Sequence, residues 1–419
     1  MLEPAQGLRL RPEETAPLPD ARPTIAQIVP NLDAGGAEVT TVEVTEAIVK
    51  AGGRALVVST GGRLAARIIA AGGEIETFPA ASKNPARILW NGQRLKALAE
   101  REGVSLLHAR SRAPAWSALL AARSLGLPLV TTYHGAYRER GRLKNLYNGV
   151  MARGDVVIAN SGYTARSIKS RYGKAESEIA TIYRGVDLAR FLPTAVTEER
   201  VAQLRRRWGI VPSQRVILHA ARLSPLKGQA VVIEAARLLS RSGAGDDVVF
   251  VLAGDAGARP GYAAGLKDKI RARQLEGRVR LVGHLDDMPA GLATAQLALM
   301  VSIEPEGFGR VAVEAQAMGC PVIASAVGAL PEAVRAPPAV TAEEATGWLV
   351  KPGDAALLAE AIRQALGLPE AARRAMGQRA RAFVEANYSV GELQRQTLAV
   401  YDRLLGTRLA ERFAGTLAS

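Results

Sequence analysis

From Thr24 to Val350 short β-branched runs alternate with longer amphipathic stretches, and this rhythm restricts the fold more than any other feature of the chain. Such alternation predicts parallel sheets covered by helices. The first half predicts strands at TIAQIVP (24–30), RALVVST (54–60), EIETFP (74–79), SLLHA (105–109), PLVTTYH (128–134) and VVIANS (156–161). Between them NPARILWNGQRLKALAE (84–100) repeats Ile88, Leu89, Leu95 and Leu98 near a 3.6 period behind Pro85, as an amphipathic helix does. The second half repeats the scheme at RVILHAA (215–221), DVVFVLAG (247–254), RVRLVGH (278–284), QLALMVS (296–302), PVIAS (321–325) and GWLV (347–350).

With 419 residues the chain exceeds what one core of ordinary size supports, so the two runs predict two Rossmann-like doubly wound α/β domains. The expected division is a leader over 1–22, a first domain over 23–190 and a second over 191–399, with the C-terminal helical segment 400–419 crossing back to the first domain. The leader, MLEPAQGLRLRPEETAPLPDAR, is rich in Pro and charge and lacks the apolar centre of a secretory signal, which predicts disorder and a cytoplasmic protein. No run approaches the roughly 18 apolar residues of a membrane span. The single cysteine, Cys320, stands before the apolar run PVIAS and is expected to be a buried, inert thiol.

Ligands of open parallel sheets bind beyond the carboxyl ends of the strands, so two such sheets facing each other predict a cleft with its motifs in the turns after strands. The first strand runs into NLDAGGAEVTT, where Gly35 and Gly36 open a helix and leave its first N–H groups accessible to an anion; a plain tight turn is the alternative. This is not the G-x-G-x-x-G dinucleotide fingerprint, which weakens a dehydrogenase reading. In the second half Arg222 closes a strand in HAARLSPLKGQA, and Lys227 begins the next helix, where a cation opposes the helix dipole unless an anion binds beside it. An Arg fork, a Lys point charge and free helix N–H groups fit a diphosphate; two solvated surface cations are the alternative. His134 ends the fifth strand before Gly135, where an imidazole is available for hydrogen bonding or proton transfer.

The stretch EPEGFGRVAVEAQAMGCPVIAS (304–325) places Gly307 and Gly309 around Phe308, with a helix beginning near Gly309. Glu306 precedes that helix and Glu314 lies five residues into it, a rise of about 7.5 Å. Two carboxylates so placed suit hydroxyl groups on either side of a phosphate linkage, although Arg310 and Glu314 also stand at i,i+4, as in an ordinary helix ion pair worth roughly 0.2–0.5 kcal/mol.

EGFGRVAVEAQAMGCPVI resembles the E-x7-E segment of the retaining glycosyltransferases of family 4, which have the GT-B fold, and it follows ARLSPLKG, LVGHLDD and LALMVS in the family's order. The resemblance runs from about residue 24 to 406. It implies that Glu314 binds the ribose of a nucleotide-sugar. Glu306, with the backbone of Phe308 and Gly309, would hold the donor sugar. Arg222 and Lys227 would neutralise the diphosphate, Gly36 would close on it, and His134 would contact the sugar near the reacting centre. It also implies transfer with retention and without metal or other cofactor, and the sequence contains no D-x-D to hold a metal. Ala221 stands where the family usually has Gly, and RGVD (184–187) replaces the commoner NGVD.

Net charge is +14 with 5% aromatic residues and no zinc-spaced Cys/His set, which favours anionic small substrates or membrane over nucleic acid. YRERGRLKNLYNGVMARG (137–154) mixes Arg and Lys with Leu143, Leu146, Tyr147, Val150 and Met151, the pattern of a helix on an anionic membrane or of one packed on its own sheet. The resulting expectation is hexose transfer from a UDP- or GDP-sugar to a cell-envelope glycan, such as a lipopolysaccharide core or lipid-linked saccharide. The competing expectations are a GT-B nucleotide-sugar epimerase and a non-catalytic basic protein at the membrane.

Overall fold

The computed structural model describes residues 22–418 apart from 34, 83, 136–140, 176–177, 244 and 258. All but the last residue of the expected leader, together with Arg138 and Arg140 of the basic segment, lie outside the described residues.

The chain forms two compact units, one reaching Ile182 and resuming over Gly391–Ser419, the other spanning Tyr183–Val390. In the first, β1 (Thr24–Ile28), β2 (Arg54–Ser59), β3 (Glu74–Thr77), β4 (Val104–Ala109), β5 (Leu129–Tyr133), β6 (Val156–Ala159) and β7 (Ile179–Thr181) form a parallel sheet in the order β3-β2-β1-β4-β5-β6-β7. In the second, β8 (Arg215–Ala220), β9 (Val248–Ala253), β10 (Val279–Gly283), β11 (Ala295–Met300), β12 (Val322–Ser325) and β13 (Gly347–Val350) are parallel in the order β10-β9-β8-β11-β12-β13. Near-continuous burial along β1, β5, β9 and β12 follows from helices covering both faces. Only β7, a three-residue edge strand of intermediate exposure, was not apparent from the sequence, because it carries no apolar run.

The division between the units falls before residue 190 because Val186 pairs with the far end of the second unit. Its N–H donates to Tyr388 O at 2.7 Å, and its own carbonyl accepts from Val390 N–H at 3.2 Å. A Cβ on Gly185 would lie 2.4 Å from Val390 Cα, so this approach requires glycine.

The helical end of the chain is interrupted rather than continuous: Val390–Leu405 stops at Gly406, which adopts φ 67°, and Leu409–Ala418 follows. Leu398, Tyr401, Leu409 and Phe413 are fully buried against Ile25, Ile48, Leu106 and Val130 of the first unit. Polar contacts fix the register of that packing. Tyr401 Oη lies 2.7 Å from His108 Nδ1, whose Nε2 lies 2.7 Å from Thr132 Oγ1, and Gln394 Nε2 donates to Glu43 O at 2.7 Å. Arg110, 1% exposed, donates through Nε to Gln27 Oε1 at 2.8 Å, and Gln27 Nε2 in turn donates to Thr45 Oγ1 at 2.9 Å. Burial pushes the pKa of His108 well below its usual value, with the charge of Arg110 adding to the effect.

Among the described residues of the basic segment the helix covers Arg142–Asn148, and the 3-10 turn Gly149–Ala152 that follows is core. Val150 and Met151 are 0% exposed, so these two apolar residues face their own sheet and not a membrane; Leu146 is exposed. No helix among the described residues is long and apolar enough to cross a membrane. Cys320 is buried, and desolvation pushes its thiol up to about 12, as expected of an inert cysteine.

Candidate active site

A doubly wound sheet places its ligand crevice where the strand order reverses, because the turns leaving the two strands there diverge to opposite faces. In the second unit that point lies between β8 and β11. Arg222 and Lys227 follow β8, and Ser302, Glu306, Phe308 and Gly309 follow β11.

After β8 the chain makes a 3-10 turn over Pro225–Lys227, and Gly228 at φ 79° caps the helix Gln229–Arg241. A Cβ on Gly228 would lie 2.0 Å from the Val301 carbonyl oxygen, so only glycine lets this turn rest on the end of β11. Ile303 N–H donates to Leu226 O at 3.0 Å and ties the two turns together. The outcome is an ion pair between Lys227 Nζ and Glu306 Oε1, with Ser302 Oγ donating to the same carboxylate oxygen. Their side chains are 22% and 19% exposed, enclosed enough for the pair to be stronger than a fully solvated one.

The helix after Gly228 has neither a side-chain cap nor an acidic residue in its first turn, so its dipole adds positive potential beside Lys227. Arg222 is exposed and its guanidinium has no ion pair among the described residues; its carbonyl accepts from Gln229 Nε2 at 3.1 Å.

The second turn is held just as closely. A Cβ on Gly328, at φ 64°, would lie 2.5 Å from Glu306 N and O, and Ala329 N–H donates to Glu306 O at 3.0 Å. Phe308 is 4% exposed, with its ring centroid 5.5 Å from Tyr388 and 6.3 Å from Tyr183. Its ring therefore anchors the turn in the core. Gly309 caps the helix Arg310–Ala317 at φ 95°. Glu314 is 9% exposed and accepts from Arg310 Nε at 3.2 Å, so the ordinary i,i+4 pair is present, on a more buried carboxylate than a surface pair would have.

Four neighbours were not singled out from the sequence: Ser302, Gly228, Gly328 and Gly254, where a Cβ would lie 2.0 Å from Ala221 O. Ser302 is detectable as a polar residue closing LALMVS four positions before Glu306, and Gly228 as the residue after Lys227 in PLKG.

The first unit holds the remaining candidates. Its order reverses between β1 and β4. Gly35 caps the helix Gly36–Lys50 at an ordinary φ of −82°, and a Cβ on it would lie 2.1 Å from Glu38 Oε2. Glu38 is thus the acidic residue of this helix's first turn. His134 follows β5, is partly buried, and its carbonyl accepts from Asn160 Nδ2 at 3.2 Å. Ser161 caps the helix Gly162–Tyr172, its Oγ accepting from Thr164 N–H at 3.1 Å.

Two Rossmann-like units, the second with cations and acids gathered at its switch point, define an α/β protein of the GT-B glycosyltransferase class. The pattern of the group 1 glycosyl transferases matches residues 201–383 and that of glycosyltransferase family 4 matches residues 34–190; the chain belongs to this family. The D-inositol 3-phosphate glycosyltransferase of Salinispora tropica is 33% identical over 70% of this chain and 63% of its own length. That of Jonesia denitrificans is 31% identical over 70% and 69%. The chain thus spans somewhat less than two thirds of the first relative. The crystal structure of a glycosyltransferase from Rickettsia africae superposes with TM-score 0.82 at 29% identity, over 92% of this chain and 99% of that one. Anabaena HepE in complex with UDP-glucose gives 0.78 at 24% identity, over 91% and 100%, a likeness of fold.

Proposed function

We propose that the chain is a retaining glycosyltransferase that moves a hexose from a UDP- or GDP-sugar to a hydroxyl of a cell-envelope glycan. The observation that carries this reading is the Lys227–Glu306 pair at the switch point of the second unit, with an acid-free helix start after it and Arg222, which has no ion pair among the described residues, in the same turn after β8. Cations next to a helix N-terminus match a diphosphate, and the adjacent carboxylates Glu306 and Glu314 match the hydroxyls of a sugar and a ribose.

In the proposed reaction the bond between the anomeric carbon and the β-phosphate oxygen breaks while the acceptor oxygen bonds to that carbon on the same face. The acceptor proton passes to the leaving phosphate oxygen, and a nucleoside diphosphate is released. Arg222 and Lys227 stabilise the charge that grows on the diphosphate, the role assigned here to protein cations in place of a metal ion. Lys227 takes up phosphate in exchange for Glu306, whose freed oxygen accepts from the sugar, with the Phe308–Gly309 backbone beside it. His134 is proposed to hydrogen-bond a sugar hydroxyl, and Gly35 and Gly36 to give the donor close access to backbone.

The net charge of +14 favours an anionic acceptor such as a phosphorylated saccharide, lipopolysaccharide core or lipid-linked glycan. Peripheral contact with an anionic membrane through the exposed Lys144 and Leu146 belongs to the same proposal, as does a cytoplasmic location.

The test is turnover of UDP- and GDP-sugars with and without a glycan acceptor. The expected result is acceptor-dependent release of nucleoside diphosphate that Glu314→Ala abolishes while circular dichroism is unchanged. Epimerised donor, or full activity in Glu314→Ala, would contradict the reading.

A further inference from the structure

Two tyrosines stand where the chain enters and leaves the second unit. Tyr183 is its first residue, and Tyr388 lies two residues before its last, Val390. The Val186 pairing holds the two segments side by side, and both rings turn into the core of this unit, where they meet Phe308. Tyr388 is 4% exposed; its ring centroid lies 5.3 Å from that of Tyr183 at 80° and 5.5 Å from that of Phe308 at 70°, the edge-to-face arrangement that favours aromatic pairs.

The two hydroxyls converge as the rings do. Tyr388 Oη donates to Glu332 O at 2.6 Å, and Tyr183 Oη donates to Glu332 Oε2 at 3.2 Å. Burial, with Tyr183 and Glu332 close by, pushes the Tyr388 hydroxyl above its ordinary pKa, so it remains a donor. Glu332 belongs to the short helix Leu330–Ala333, and its N–H donates to Ala329 O at 3.0 Å, while Ala329 N–H donates to Glu306 O at 3.0 Å. Two routes therefore run from Tyr388 to the turn after β11: ring packing reaches Phe308, and a chain of hydrogen bonds through Glu332 and Ala329 reaches Glu306.

A side chain that holds a ligand-binding turn at two points, without lying in it, sets the precision with which that turn meets its ligand. We propose that Tyr388 is a positioning residue for the sugar half of the donor: it fixes the Glu306–Gly309 turn so that the Glu306 carboxylate and the Phe308–Gly309 backbone meet the sugar hydroxyls together. The groups assigned to the nucleoside diphosphate stand on other elements. Arg222 and Lys227 leave β8, and Glu314 lies on the helix Arg310–Ala317, anchored by its buried Ala312, Val313, Ala315 and Ala317. Loosening Tyr388 thus acts on sugar recognition and spares the nucleotide. The inference rests on the nucleotide-sugar reading of this site.

The experiment is calorimetric titration of the full chain with UDP-glucose, UDP-N-acetylglucosamine and GDP-mannose, and with UDP and GDP alone. At least one sugar nucleotide is expected to bind the native chain. Tyr388→Leu should weaken it about tenfold and Tyr388→Phe, which keeps the ring and loses one neutral hydrogen bond, about threefold, with the parent nucleoside diphosphate within about twofold in both. Val384→Ala is the control for a purely structural role: Val384 is 0% exposed in the same core, its carbonyl accepts from Tyr388 N–H at 2.8 Å, and its truncation lowers stability while keeping all three rings. Its preference between sugar nucleotide and nucleoside diphosphate should equal that of the native chain. Parallel losses for both ligands, unchanged sugar-nucleotide binding in Tyr388→Phe, or the same selective loss in Val384→Ala would overturn the inference and leave the donor reading standing. Tyr388→Phe decides the matter even if Tyr388→Leu fails to fold. A native chain that binds no sugar nucleotide would overturn the donor reading and this inference together.

Discussion

Lys227 and Glu306 are ion-paired between the turns that leave β8 and β11, and Ser302 donates to the same Glu306 oxygen. A lysine held this way reaches a phosphate by exchanging one anion for another, with little loss of side-chain freedom on binding. Lys227→Ala and Arg222→Ala are each expected to lower kcat/KM about 10²–10³-fold. Arg222→Lys should recover only part of the loss, since a point charge does not replace a bidentate fork. Steady-state kinetics with the cognate donor measure this, and changes below threefold would remove both residues from the diphosphate site.

Two glycines of the same site are expected to respond differently to a methyl group. A Cβ on Gly228 meets the Val301 backbone oxygen at 2.0 Å, whereas a Cβ on Gly309 meets the movable Leu330 Cδ2 at 2.4 Å. Both also leave alanine in a left-handed conformation, at about 1–2 kcal/mol. Gly309→Ala should therefore lower the stability of the second unit by roughly that conformational cost, and Gly228→Ala by distinctly more, with loss of nucleotide binding. Urea unfolding followed by tryptophan fluorescence checks the order.

Buried histidines set the response to mild acid. Desolvation lowers the pKa of His108 in the first unit and His219 in the second below the usual 6.5. The unfolded chain binds a proton near 6.5 that the folded chain refuses, so stability is full above that pH and falls as pH drops below it, by up to about 1.4 kcal/mol per pH unit per histidine. Carboxylates act lower: Glu234, held at about 2 by Arg237 and Arg273, loses its contribution only below its ordinary 4.5. Tm should fall between pH 7 and pH 5, and His108→Gln should flatten that slope. An unchanged slope would mean that His108 is protonated in the native chain.

Much of the second unit was legible in its residues. All six of its strands were marked by short apolar runs, and the helix after Gly309 begins at Arg310 as its flanking glycines imply. What sequence did not reveal are consequences of close approach: Gly228 against Val301, Gly328 against Glu306, and Gly254 against Ala221. Each is a contact between segments distant in the chain, with no local signature beyond the glycine itself. The basic segment 137–154 stayed ambiguous for a related reason, since amphipathicity is the same whether a helix faces lipid or its own sheet; Val150 and Met151 are buried, whereas Leu146 is exposed.

Isothermal titration of the full chain with UDP, GDP and ADP, repeated on Glu314→Gln, bears most directly on nucleotide-sugar binding by the second unit. The predicted result is one site for one of these nucleotides, weakened roughly 10–100-fold in Glu314→Gln by loss of a charged hydrogen-bond acceptor. Binding of none of them, or equal binding by Glu314→Gln, would contradict it.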